Sequence, residues 1–225
     1  MNGGGPQRTR HGEDRRADLL RHAEALFQER GYDATRMVDI AHAAGVAKGL
    51  VYWYFDSKET LFAEIIHDLR QRLRMLQADV TAGIDDPLAM MYVGTVASVL
   101  FVAENRRLYG LIQTVSTDDR FRPEASRAAE IHAGDTARVL AEGQRLGVVR
   151  NDDDALTIAI GNSGVVSQYA ARAATPAEFD AAAHAAARYV VRAVAAREAL
   201  AERVLAAYGT DRASPGRRGV AVPGA

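Results

Sequence analysis

Gly45 lies between two short stretches that both read as helix, and this single turn constrains the fold more than any other feature of the chain. Upstream, Thr35 is an N-cap residue type, and Val38, Ile40 and Ala41 supply an apolar stripe for a first short helix. Gly45 can adopt the left-handed conformation that ends a helix and turns the chain sharply. Downstream, a second helix of about two turns is expected from Ala47 to Tyr54, after which Ser57 caps a third. Two short helices joined by a glycine turn form a helix-turn-helix, whose second helix is small enough to enter a DNA major groove.

The block Gly45-Val46-Ala47-Lys48-Gly49, followed by Tyr52-Trp53-Tyr54-Phe55 and Ser57-Lys58-Glu59, resembles the N-terminal signature of the TetR/AcrR family of bacterial regulators. Leu19, Leu20, Ala23, Leu26, Phe27, Gly31 and Tyr32 match that family's first helix and its exit, so the resemblance covers residues 15–62. It implies an all-α fold: a three-helix helix-turn-helix domain, then a helical ligand-binding and dimerisation domain, about nine helices in total. The expected divisions are an arm over 1–14, the DNA-binding domain over 15–60, the ligand and dimerisation domain over 61–208, and a tail over 209–225. Arm and tail are expected to be disordered, being rich in glycine, arginine and polar residues.

Helix geometry and the resemblance together nominate the DNA contacts. Ala47, Lys48, Gly49 and Leu50 form the groove-facing start of the recognition helix. Lys48 suits a guanine edge or a phosphate, Gly49 permits close backbone approach, and Leu50 offers only apolar contact. Tyr52 and Trp53 are assigned to DNA, whereas Phe55 is assigned to the core. Thr35 and Arg36, opening the preceding helix, and Lys58, in the first turn of the following one, are placed for the phosphate backbone. Among 28 cationic residues only Lys48 and Lys58 are lysines, and both fall in this block. Position 47 departs from the family pattern, since alanine stands where serine or threonine is usual, so the recognition helix lacks a side-chain cap.

The remainder reads as helix almost throughout. One long amphipathic segment is expected over 57–82, spanning about 39 Å. Helices over 87–105 and 106–117 follow, then one from the Asp118-Asp119 and Pro123 break to Leu146, with Gly147 as C-cap. Asn151 to Asp154 place acidic groups at the start of an eighth helix, and Thr175-Pro176-Ala177-Glu178 opens a ninth running to Ala207. Ile158, Gly161, Gly164, Val165 and Tyr169 on the eighth, with Phe179, Ala183, Ala186, Val190, Val194 and Ala195 on the ninth, are expected to build a four-helix homodimer interface. Met91, Tyr92, Phe101, Tyr109, Gln113, Asn162 and Gln168 are the candidates for a cavity taking a small, moderately apolar effector.

Composition narrows the function classes. A net charge of −1 gives no domain-wide basic footprint, so any nucleic-acid contact must be local. With no cysteine there is no disulfide framework and no thiolate chemistry. His11, His22, His42, His67, His132 and His184 show no metal-ligand spacing, so no metal or cofactor is expected. The acidic run at 152–154 reads as a helix start, not an acid/base pair, and an enzyme is not expected. No apolar run is expected to approach a membrane span, so a cytoplasmic, membrane-free protein is the expectation. The function expected is a dimeric, sequence-specific transcriptional repressor on a palindromic double-stranded operator, released by its effector. The alternative is an architectural DNA-binding protein or an activator of the same fold.

Overall fold

The computed structural model describes residues 10–116 and 122–209. Among these residues it contains ten α-helices and no extended strand, only an isolated bridge between Val149 and Ala195. In chain order the helices are α1 (Arg10–Arg30), α2 (Met37–Ala43), α3 (Lys48–Tyr54), α4 (Lys58–Val80), α5 (Pro87–Glu104), α6 (Arg106–Ser116), α7 (Arg122–Arg145), α8 (Ala155–Arg172), α9 (Pro176–Val194) and α10 (Glu198–Tyr208). The described residues fall into two compact units, one formed by 10–69 with 107–116 and 122–126, the other by 70–106 with 127–209. The division is therefore not linear, because α4 and α7 each begin in the first unit and end in the second, while most of α6 belongs to the first.

Most helix boundaries follow local chemistry. Gly45 has φ +64°, and the Gly45 amide donates to His42 and that of Val46 to Ala41, closing α2 as the sequence suggests. Ser57 Oγ accepts the Thr60 amide and starts α4. Asp86 accepts the Leu88 amide with Pro87 at the first helical position of α5. Asp154 accepts from Leu156 and Thr157, and Thr175 with Glu178 forms a capping box opening α9. Gly143 is required for another reason: a Cβ there would stand 2.4 Å from Val149 Cγ2 and 3.3 Å from Pro87 Cβ, so α7 reaches these neighbours only without a side chain.

Four expectations need correction. The N-cap of α2 is Arg36, not Thr35, whose buried hydroxyl instead donates to the Gly31 carbonyl at 2.8 Å. In α2 the inward residues are Met37, Ile40 and Ala41, whereas Val38 is 43% exposed. The single last helix is two, broken at Ala195. There the Arg150 amide donates to Val194 O and the Ala196 amide to Val148 O, each at 2.9 Å. This pairing pulls the chain out of helical geometry, and α10 buries Ala201, Val204 and Leu205 in the same core as Val190 and Val194. Helix propensity loses here to tertiary burial. Finally, α5 is long and apolar enough to cross a membrane, yet 67% of it is buried among the other helices, which makes it the core helix of the second unit. The N-terminal helix reaches back to Arg10; the rest of the expected arm, the tail beyond Gly209 and the Asp118-Asp119 break lie outside the described residues.

Candidate nucleic-acid interface

The first unit is built on an aromatic triangle. Phe27 from α1, Tyr32 from the following turn and Phe62 from α4 have ring centroids 5.1–5.4 Å apart, Phe27 and Phe62 being edge to face. Leu19, Ala23, Ile40, Val51, Phe55 and Leu61 complete the buried set, each 0% exposed. Arg16 lies over the Phe55 ring at 5.1 Å and pairs with Glu64, tying α1 to α4. Burial of Val51 and Phe55 fixes the roll of α3 about its axis. Lys48, Gly49, Tyr52 and Trp53 are thereby left outside.

On that outer face Trp53 is 74% exposed and Tyr52 43%. Lys48 Nζ lies 5.4 Å from the centroid of the Tyr52 ring, one helical turn along. Trp53 stacks edge-on against Tyr54 with centroids 4.7 Å apart. Leu50 is half-buried. Ala47 is extended (φ −66°, ψ 141°) and makes no side-chain cap, as its residue type dictates. Because that backbone geometry is what a capping serine adopts, Ala47→Ser is expected to stabilise the unit by about 1 kcal/mol. A melting temperature raised by roughly 2–4 °C in a thermal scan is the expected result.

Three nominated residues are differently engaged. Arg36 is exposed, and its guanidinium makes two 3.1 Å hydrogen bonds to Asp39, which also accepts the Arg36 amide at 2.9 Å. Thr35 faces inward and offers no hydroxyl to a phosphate. Lys58 was expected at the phosphate backbone, but its Nζ donates to Tyr32 O at 2.9 Å and Thr35 O at 3.0 Å and lies 4.2 Å from the Tyr32 ring centroid. Lys58 is therefore the strut of the 31–36 turn. Its neighbour Glu59 has its carboxyl held low chiefly by its own backbone N–H, so that N–H of the first turn of α4 is already occupied.

The Asp39 carboxyl is lowered from its ordinary value, first by the hydrogen bond from the Arg36 side chain and then by that from the Arg36 amide. A depressed folded-state value gives stability that is present above the unfolded value, about 3.9, and is lost as pH falls through the folded one. Acid titration of the melting temperature is thus expected to fall more steeply below pH 4 for the wild type than for Asp39→Asn.

The second unit contains a cavity of about 250 Å³ walled by α4, α5, α7 and α8. Of the seven residues nominated for an effector site, Met91 and Asn162 line it. Tyr92 is buried and hydrogen-bonded to His184 Nδ1 at 2.8 Å, and Phe101 is buried in the helix packing. Half-buried Tyr109 and exposed Gln113 sit on α6, and Gln168 is exposed on α8; none of these five borders the cavity. The sequence reading missed its charged residues: Arg74 on α4 and Arg138 on α7 both pair with Asp135. The three-residue spacing of Asp135 and Arg138 was the only local signal, since Arg74 arrives from a distant helix.

A solvent-facing short helix carrying a lysine, a glycine and two aromatics, packed on a buried helical frame, gives the described residues a helix-turn-helix module, the geometry that enters a DNA major groove. Residues 19–65 match the model of the bacterial regulatory proteins of the tetR family. The match is confined to that module, which is what the chain shares with this family. It is 29% identical over 110 residues to the probable acrEF/envCD operon repressor of Escherichia coli K12, covering 48% of this chain and 50% of that one. It is 44% identical over 75 residues to the transcriptional repressor KstR2 of Rhodococcus jostii, covering 32% and 35%. These curated relatives are matched over half their length or less. A SmeT–triclosan complex shares the fold at 19% identity, with TM-score 0.68, covering 83% of this chain and 94% of that one.

Proposed function

We propose that this protein is a sequence-specific transcriptional repressor that binds a palindromic operator as a homodimer and is released by a small molecule. The observation that carries the reading is the exposed Lys48, Gly49, Tyr52 and Trp53 face on a module of the TetR family. Two repressors among the relatives favour repression, and the triclosan complex of the structural neighbour favours a small-molecule effector. Because α4 is one helix beginning in the DNA-binding unit and ending beside the cavity, it offers a continuous route for linkage. A coupling of about 1–3 kcal/mol suffices to change operator occupancy strongly.

The dimer is proposed through α8 and α9, with one revision of the face. Ile158, Ala183, Ala186, Val190 and Val194 are buried within the chain. The same two helices leave Leu156, Ile160 and Tyr189 at 43%, 57% and 55% exposure, with Gly161 and Gly164 open beside them. On a palindromic operator the two recognition helices of such a dimer would read half-sites about 34–36 Å apart.

Lys48→Ala is the direct test. Loss of a base contact is expected to cost roughly 1–3 kcal/mol on the specific operator and much less on a scrambled duplex. Equal losses on both duplexes would reduce Lys48 to a phosphate contact and remove the assigned readout. Specific binding undiminished by the substitution would move the interface off α3.

A further inference from the structure

We infer that the cavity of the second unit selects an amphipathic carboxylate, with its head at the mouth and its apolar tail on the floor. The inference rests on the proposal that this cavity holds the effector, and supplies its chemical class. Arg74 approaches Asp135 through Nε at 2.6 Å, and Arg138 pairs with the other oxygen of the same carboxylate. The Arg74 and Arg138 side chains are 41% and 73% exposed and Asp135 19%, which places this charged group at the rim. The buried lining residues are Met91, Thr95, Ser98 and Ala159, at 6%, 5%, 3% and 0%, and Ser98 Oγ is already taken up, donating to Gly94 O and accepting from Gln77.

The charge count decides the sign. Among the described lining residues, two guanidiniums face one carboxylate, leaving one positive charge uncompensated. A ligand ammonium would have to approach Asp135 against both arginines. A ligand carboxylate completes the pairing, accepting from guanidinium N–H groups that one aspartate leaves over, since each guanidinium carries five. A second observation points the same way. Asn162 lines the cavity with its Nδ2 buried and no acceptor in reach, and Oδ2 of Asp135 receives Arg74 without an aligned hydrogen bond. The unmet donor is Asn162 Nδ2, which a ligand oxygen satisfies and an ammonium does not, while Asp135 Oδ2 already has the Arg74 guanidinium as its charge partner.

The test uses the full chain and three probes of one length and three charges: octanoate, octanamide and octylamine, titrated calorimetrically at neutral pH. Octanoate is expected to bind roughly tenfold or more tightly than either of the others, the difference that charge-assisted hydrogen bonds provide. Arg74→Gln and, independently, the more exposed Arg138→Gln are each expected to remove most of that advantage while leaving octanamide unchanged. Octanamide binding as tightly as octanoate, octylamine binding more tightly, or silence from all three would overturn the inference. Operator binding measured on the same samples keeps the two proposals apart. Silence with operator binding intact removes the ligand class and leaves the regulator; octanoate selectivity without any operator binding does the reverse.

Discussion

Replacing Lys58 with methionine is expected to destabilise the DNA-binding unit by about 2–3 kcal/mol, the worth of a charged donor lost from two carbonyls. Methionine keeps the aliphatic stem against Tyr32 and removes only the ammonium that Tyr32 O and Thr35 O share. The loss is local, so amide exchange in the 31–36 turn should accelerate by roughly the corresponding factor, about thirty- to a hundred-and-sixtyfold. Operator affinity should fall only in proportion to the unfolded fraction, with the salt dependence of binding unchanged. A phosphate anchor would behave in the opposite way: stability unaltered and the salt slope reduced by about one. The two readings of one lysine therefore separate in a single pair of experiments.

Phe62→Ala is expected to cost more, about 3–5 kcal/mol, because it removes one corner of the aromatic triangle and leaves a cavity there. Phe62 is fully buried, and its ring meets both Phe27 and Tyr32. With stabilities of a folded unit typically about 5–15 kcal/mol, a loss of this size leaves the recognition helix poorly held at physiological temperature. Circular dichroism should show a lower-temperature first transition, and operator binding should vanish at temperatures where the wild type still binds. A thermal profile indistinguishable from the wild type would mean that α4 is not what holds α1 and the 31–36 turn in place.

Much of this architecture was legible in the sequence because the signals were local. Gly45, Ser57, Asp86-Pro87, Gly147 and the Thr175 to Glu178 box each mark a boundary through a contact spanning a few residues. The outward set on α3 was nominated from helix position and the resemblance, and burial of Val51 and Phe55 leaves Lys48, Tyr52 and Trp53 exposed. What was not legible depended on distant partners. Nothing near Ala195 announces a break in an alanine-rich helix; the break comes from the segment at 148–150 taking its backbone groups. Nothing near Lys58 announces two carbonyls more than twenty positions upstream. The rim of the cavity was invisible likewise, since Arg74 and Asp135 belong to different helices. The apolar periodicity on α8 and α9 was read as an interface between copies, yet its strongest positions are interior. Periodicity identifies a buried face without saying what buries it.

Trp53, the only tryptophan in the sequence and largely exposed on α3, provides the most direct measurement. Purified protein would be titrated with the intergenic DNA beside its own gene, following tryptophan emission, with a scrambled duplex of equal length as control. The account predicts a change that saturates at one dimer per site with the specific duplex alone. The same weak, salt-sensitive response from both duplexes would contradict it, because the exposed face of α3 would then read no sequence there.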